Sequence, residues 1–70
     1  MVDFGKKLKM LRKENGMTQQ ELAASLGVTK STVSYYELGE RSPSPEILAK
    51  IAYVFHPTTD INLIEIFKNK

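Results

Sequence analysis

Two short helical patterns lie almost end to end between residues 18 and 39, in the stretch TQQELAASLGVTKSTVSYYELG. Thr18 and Glu21 fit a capping box, in which a threonine hydroxyl and a glutamate carboxylate each accept a backbone N–H at the start of a helix. Thr29 is a good N-cap for the second helix. Gly27 allows a sharp turn between the two helices, because glycine adopts left-handed backbone conformations at low steric cost. The stretch therefore predicts two helices packed across a tight turn.

One helical pattern precedes this pair and another follows it. Leu8 and Leu11 lie at helical spacing before Gly16, and a glycine at that point suits a left-handed helix end. After the pair, Ser44 is a good N-cap, and Pro45 suits the first helical position because its missing N–H has no partner there. The apolar residues that follow recur on one face and predict the core face of a fourth helix: Ile47, Leu48, Ile51, Ala52 and Phe55. The histidine–proline pair after them predicts its end.

The last apolar segment, from Ile61 to Phe67, allows two interpretations. Asp60 suits an N-cap, but the residues that follow are rich in β-branched types and nearly continuous in apolar character, so a strand is also compatible. We favour a helix, because the sequence offers no second strand for pairing. The chain is then predicted to be one all-α domain of five helices over residues 1–70.

Composition excludes several kinds of site. The 70 residues include no cysteine and one histidine, so disulfides, zinc–thiolate sites, cysteine nucleophiles and histidine metal clusters are excluded. The sequence also lacks a phosphate-cradling glycine loop and a histidine–carboxylate–nucleophile set. We therefore expect no enzyme activity, cofactor, metal or small-molecule ligand.

Charge and hydropathy fit a soluble protein of the cytoplasm. No apolar run approaches the roughly 18 residues that a membrane span needs, and the N-terminus does not resemble a signal peptide. The net charge of +2 permits a nucleic-acid partner without indicating one. Basic residues concentrate between Lys6 and Lys13, where a solvated helix face is the simpler explanation.

The helix that starts at Thr29 has a polar outer side. Val33 and Tyr36 face inward together on a helix of 3.6 residues per turn. The residues that then point outward are short polar groups, a cation and an aromatic ring: Lys30, Ser31, Thr32, Ser34 and Tyr35. The DNA major groove admits one α-helix and presents hydrogen-bond donors and acceptors on the base edges. This set of side chains is suited to such a groove.

The sequence resembles the lambda-repressor-like, Cro/C1-type helix-turn-helix regulators from about Phe4 to Phe55, with the helix-turn-helix at about residues 18–38. The ordered set is more specific than any of its members. The matching residues are Leu8, Arg12, Gly16, Thr18, Gln19, Glu21, Leu22, Ala23, Gly27, Val33, Tyr36, Glu37, Gly39, Arg41, Pro43, Leu48 and Ile51.

The resemblance implies roles for individual residues. The third helix is expected to be the recognition helix, with base edges contacted by Lys30, Ser31, Thr32 and Tyr35. Phosphate contacts are expected from Thr18, Gln19, Thr29, Ser34, Arg41, Ser42 and Lys9. Arg12 and Glu37 match a pair that in relatives joins the first helix to the end of the third.

The function expected from these features is sequence-specific binding of double-stranded DNA by a transcriptional regulator. Repression from an inverted-repeat operator by a homodimer is the leading hypothesis. Residues 60–70 are expected to form the dimer interface through Ile61, Leu63, Ile64, Ile66 and Phe67, because one helix face cannot bury so many large apolar residues in a small domain. Two alternatives stay open. The tail could complete a monomer core, and the fold could serve as a protein-interaction module, such as an antitoxin or a regulatory subunit.

Overall fold

The structure, a computed structural model, describes residues 3–55 and folds them into four α-helices. They are α1 (Phe4–Glu14), α2 (Gln19–Leu26), α3 (Lys30–Leu38) and α4 (Pro45–Phe55). Every regular element in this part of the chain is a helix, so the all-α prediction is confirmed for it. The predicted fifth helix, its alternative as a strand and the predicted dimer-interface residues lie outside the described residues.

Each helix begins at a residue whose side chain accepts a backbone N–H. Thr18 and Glu21 form the predicted capping box, with Glu21 N donating to Thr18 Oγ1 at 3.0 Å and Thr18 N donating to Glu21 Oε1 at 2.8 Å. Thr29 Oγ1 and Ser44 Oγ accept the N–H three residues further on, at 3.1 and 3.2 Å. The start of α1 was not predicted from the sequence. Asp3 is its cap, accepting a backbone N–H at 2.9 Å.

The first three helices end in the same way. Glycines with φ of 68°, 73° and 78° follow α1, α2 and α3. The residue after each glycine donates its N–H to a carbonyl five residues back, at 3.0, 3.0 and 2.9 Å, which is the pattern of a Schellman motif. After α1 and α2 that residue is Met17 or Val28, and both pack against the core. After α3 it is Glu40, which is exposed.

Buried apolar side chains from all four helices form one cluster: Leu8, Leu22, Ala23, Leu26, Val33, Tyr36 and Ile51. Ala52 of α4 is buried as well. The predicted core face of α4 is therefore correct at its centre. Towards its ends the burial is partial, since Ile47, Leu48 and Phe55 are half-buried.

Gly5 allows α1 to cross α3 at very short range. A Cβ at this position would overlap the backbone carbonyl oxygen of Glu37 and lie 2.7 Å from that of Tyr36. Both obstacles are backbone atoms of α3, so no side chain can move aside to make room. The close approach fixes the C-terminal end of α3 against α1 and leaves the other side of α3 free to carry polar residues.

Candidate nucleic-acid interface

The two sides of α3 differ sharply in exposure. Val33 is fully buried and Tyr36 is 6% exposed, so these two residues anchor the helix in the core. Lys30 and Ser31, at its N-terminal end, are exposed, and Tyr35 is half-buried one turn further along. The structure thus places the residues predicted to contact bases on the side of α3 that faces away from the core.

Thr32 differs from the other residues predicted to contact bases, because its hydroxyl already has a hydrogen-bond partner. Thr32 Oγ1 lies 2.8 Å from Thr29 Oγ1, and its backbone N–H donates to the same Thr29 oxygen. Both threonines therefore contribute to the cap of α3. A hydroxyl can accept and donate at once, so each retains some capacity for a further contact. Ser34, predicted to contact phosphate, is half-buried.

The N-terminus of α2 lies beside the C-terminal half of α3. Gln19 Nε2 donates to Glu37 Oε1 at 3.0 Å. A carboxylate only accepts hydrogen bonds, so the amide nitrogen must face Glu37, and its second N–H remains for another acceptor. Thr18, the cap of this helix, is exposed. Helix N-termini favour anions because their backbone N–H groups and dipole are positive, and this end of α2 has that character.

Arg12 and Glu37 form a buried, two-point ion pair between α1 and α3. Arg12 Nε donates to Glu37 Oε2 at 2.6 Å and a terminal guanidinium nitrogen donates to Glu37 Oε1 at 3.2 Å. The side chains are only 9% and 4% exposed. The other terminal nitrogen of Arg12 donates to the carbonyl oxygen of Met17 at 2.9 Å. This arginine thereby fixes the α1–α2 connection as well as α3.

The electrostatics at Glu37 favour its charged form. Burial opposes ionisation and would by itself raise the pKa of Glu37. Hydrogen bonds from Arg12 and Gln19, together with the positive charges of Arg12 and Lys9, outweigh burial and hold the pKa of Glu37 below its ordinary value. Lys9 is exposed on α1 yet close enough to act on this carboxylate. Of the predicted phosphate-contacting residues, Gln19 thus bonds directly to Glu37, and Lys9 adds a positive charge that acts on the same carboxylate.

The loop after α3 returns to the polar outer side of that helix. The Arg41 guanidinium carbon lies 4.6 Å from the centre of the Tyr35 ring, which is cation–π geometry. Arg41 and the next residue, Ser42, are both exposed. The structure therefore brings a residue predicted to contact bases and one predicted to contact phosphate into direct contact with each other.

Sequence reasoning missed three features of this region. It did not predict the Gln19–Glu37 bond, the bond from Arg12 to the Met17 carbonyl, or the Arg41–Tyr35 stack. All three join residues whose local patterns carry no sign of the partner. Gly5 was also missed, although a glycine inside a helical pattern is itself a signal, because glycine there destabilises a helix unless packing requires it.

Other kinds of site can be assessed over residues 3–55. No group of three or more histidine, cysteine, aspartate or glutamate side chains in that range could hold a metal ion. None of the four helices described has the length and apolar character needed to cross a membrane.

Comparison with known proteins places these observations in a family. A family model described as helix-turn-helix matches residues 8–56, more than half of the chain. That range contains α2 and α3 together with the Arg12–Glu37 pair that fixes them against α1.

Individual relatives match over most of this chain. The SPβ prophage-derived HTH-type transcriptional regulator YonR of Bacillus subtilis is 35% identical over 60 residues, covering 86% of this chain and 56% of the relative. The HTH-type transcriptional regulator AnsR of the same organism is 44% identical over 54 residues, covering 77% and 47%. The competence pilus inhibition repressor of Acinetobacter baylyi is 40% identical over 55 residues, covering 79% and 50%.

The chain spans about half the length of these relatives. Each is named as a transcriptional regulator or repressor rather than as an enzyme. The matched region, the four-helix arrangement and the polar outer side of α3 agree with one another. The chain belongs to the Cro/C1-type helix-turn-helix family of transcriptional regulators.

Proposed function

We propose that the chain binds double-stranded DNA with α3 in the major groove and represses transcription from an inverted-repeat operator as a homodimer in the cytoplasm. The observation that carries the proposal is the division of α3 into a buried side held by Val33 and Tyr36 and an outer side with Lys30 and Ser31 exposed. Repression is supported by the A. baylyi relative, which is named as a repressor.

Base contacts are proposed for Lys30, Ser31, Thr32 and Tyr35. Lysine is suited to the acceptors of guanine, and hydroxyls can donate or accept at any base pair. Thr32 is the least well supported of these four candidates for base contact, because its hydroxyl is already hydrogen-bonded to Thr29. Lys30 and Ser31 are the strongest, because both are exposed in the first turn of α3.

Phosphate contacts are proposed for residues around this helix: Thr18, Gln19, Thr29, Ser34, Arg41, Ser42 and Lys9. Gln19 has the most defined geometry, since its bond to Glu37 leaves one amide N–H to donate beside the N-terminus of α2. A phosphate bound there would also accept from backbone N–H groups of the helix start.

The homodimer is proposed from the sequence of residues 60–70. Ile61, Leu63, Ile64, Ile66 and Phe67 exceed what one helix face can bury in so small a domain. In a dimer suited to an inverted repeat, the two recognition helices lie about 34 Å apart, one turn of DNA. Sedimentation of wild type and an Ile66→Asp variant tests this. A wild type that stays monomeric at high micromolar concentration would contradict it.

Selection of bound duplexes from a random DNA pool tests the function itself. We expect one palindromic motif, with an affinity that falls steeply as salt rises, because neutralised phosphates release counterions. Lys30→Ala should weaken binding to the selected DNA by about 1–3 kcal/mol and reduce the preference for one particular base pair. Lys7→Ala is the charge-matched control, since Lys7 is exposed on α1 and has no proposed contact. No enriched motif, or binding insensitive to salt, would instead favour a protein-interaction module.

A further inference from the structure

The contact between Arg41 and Tyr35 is built into the backbone that follows α3. The N–H groups of Glu40 and Arg41 both point to the carbonyl oxygen of Tyr35, at 2.9 and 3.4 Å. Gly39, in the left-handed conformation with φ of 78°, makes this reversal of the chain possible. The main chain therefore brings Arg41 back to Tyr35 independently of the side-chain stack, in which the guanidinium carbon lies 4.6 Å from the ring centre.

The three Schellman ends show why this contact is distinctive. An apolar residue after the glycine commonly packs back on the last turn of its helix. Met17 and Val28, which follow the glycines after α1 and α2, are apolar and pack against the core. At α3 the equivalent residue, Glu40, is exposed, and the next residue, Arg41, lies over the last turn instead. The turn after α3 thus places a cation against the ring of Tyr35, on the polar outer side of the helix.

Planar guanidinium chemistry allows Arg41 two roles at once. A guanidinium stacks on an aromatic ring with its face, while its five N–H groups project from its edge. Arg41 can therefore hold the Tyr35 ring and still donate to a DNA phosphate. A lysine at this position would keep the charge but would lose the planar stacking surface.

We propose that Arg41 is a positioning residue for DNA recognition, which fixes the Tyr35 ring in one orientation and so sets the preference at the base pair that Tyr35 contacts. The inference rests on the proposed DNA-binding function and extends it, because a residue expected only to contact phosphate then acts on sequence preference. A half-buried ring held in one orientation before binding loses less conformational freedom when DNA is bound.

The alternative is that Arg41 only contacts phosphate. In that case its removal weakens binding to all sequences alike and lowers the salt dependence by about one unit. The two roles separate in an Arg41→Lys variant, which retains the positive charge. If Arg41 positions Tyr35, Arg41→Lys should weaken the preference for particular base pairs and leave the salt dependence of binding unchanged. If Arg41 only contacts phosphate, the preference for base pairs should stay as in wild type.

The test measures affinity for the selected operator and its single-base variants at several salt concentrations. The proteins are wild type, Arg41→Lys, Tyr35→Ala and the double variant. We expect Arg41→Lys to reduce discrimination by about 2–5-fold, as fits an exposed cation–π contact, at the same base pairs that Tyr35→Ala affects. In the Tyr35→Ala background, Arg41→Lys should cause no further loss of discrimination. Glu40→Gln is the control from the same turn and should keep the wild-type ranking of base variants.

Two outcomes of the binding measurements would overturn the inference. One is an Arg41→Lys variant that binds the operator with the wild-type ranking. The other is a fold-loss of discrimination in the double variant equal to the product of the two single fold-losses, which is the result for two independent residues. NMR of the free protein distinguishes a failure of the positioning role from a failure of the proposed DNA-binding function. Ring-current shifts of the Arg41 side-chain protons should vanish in Tyr35→Ala, and their absence from wild type would also overturn the inference. If the shifts are present but no DNA motif is enriched, the proposed function fails and the recognition role with it.

Discussion

Replacing one member of the Arg12–Glu37 pair should remove a large share of the stability of the domain. Glu37 accepts two bonds from Arg12 and one from Gln19, and the two charged side chains are 9% and 4% exposed. In an Arg12→Met variant the Glu37 carboxylate would keep only the Gln19 bond. Leaving one charge of a buried pair without compensation costs about 3–5 kcal/mol.

That loss is large for a chain of this size. At about 0.05–0.15 kcal/mol per residue, 70 residues give a free energy of unfolding of roughly 3.5–10 kcal/mol. Replacing both residues with methionine should cost far less than the sum of the two single changes, because well-packed apolar side chains often substitute for a buried ion pair at little cost. The pair is therefore expected to show strong coupling in a double-mutant cycle.

Urea denaturation followed by helical circular dichroism measures the cycle of Arg12→Met, Glu37→Met and the double variant. Glu37→Gln keeps the measurement possible if either single methionine variant is unfolded in water. Its amide oxygen still accepts from Arg12, so it should lose less stability than Glu37→Met but should be clearly weaker than wild type. Two single losses below about 1 kcal/mol that simply add would refute the reasoning, since exposed ion pairs behave that way.

Three further predictions concern stability. Gly5→Ala should lower the free energy of unfolding by about 1–3 kcal/mol, because the new Cβ would overlap the α3 backbone. Lys7→Ala on the same helix should change it by less than about 0.5 kcal/mol. Equal effects of the two substitutions would contradict the close approach of α1 to α3. Thr18→Ala should lower the free energy of unfolding by about 1 kcal/mol and Thr18→Ser should leave it almost unchanged, since only alanine removes the capping oxygen. Thermal and urea unfolding measure both variants. The lowered pKa of Glu37 contributes stability that is full above its ordinary pKa of 4.5 and is lost as the pH falls through the folded pKa. Urea midpoints between pH 7 and pH 3 should therefore fall less in Glu37→Gln than in wild type, and an equal fall would contradict this.

Local signals in the sequence predicted the helices and their ends well. Thr18, Thr29 and Ser44 cap helices as their residue types indicate, and Gly16 and Gly27 adopt the left-handed conformation that ends a helix. These features depend on residues within one turn of each other, so their physics is contained in a short stretch of sequence.

Contacts between helices were harder to predict. The resemblance to a known family supplied the Arg12–Glu37 match, and charge alone would not have paired two residues 25 positions apart. Gln19 was expected to contact phosphate, and nothing in its neighbourhood along the chain indicates a bond to Glu37. Such contacts depend on how the helices cross, and the crossing of α1 and α3 depends on the backbone approach that Gly5 permits.

The separation between the two sides of α3 has a consequence for how new DNA targets arise. Lys30 and Ser31 are exposed and outside the core cluster, so exchanging them should leave the free energy of unfolding within about 0.5 kcal/mol of wild type. Under the proposed function, relatives can then change their DNA target by single substitutions at these positions without losing folding stability. Tyr35 departs from this freedom because Arg41 lies against its ring. A duplicated gene is expected to change these two positions together, whereas its first-turn positions can drift independently.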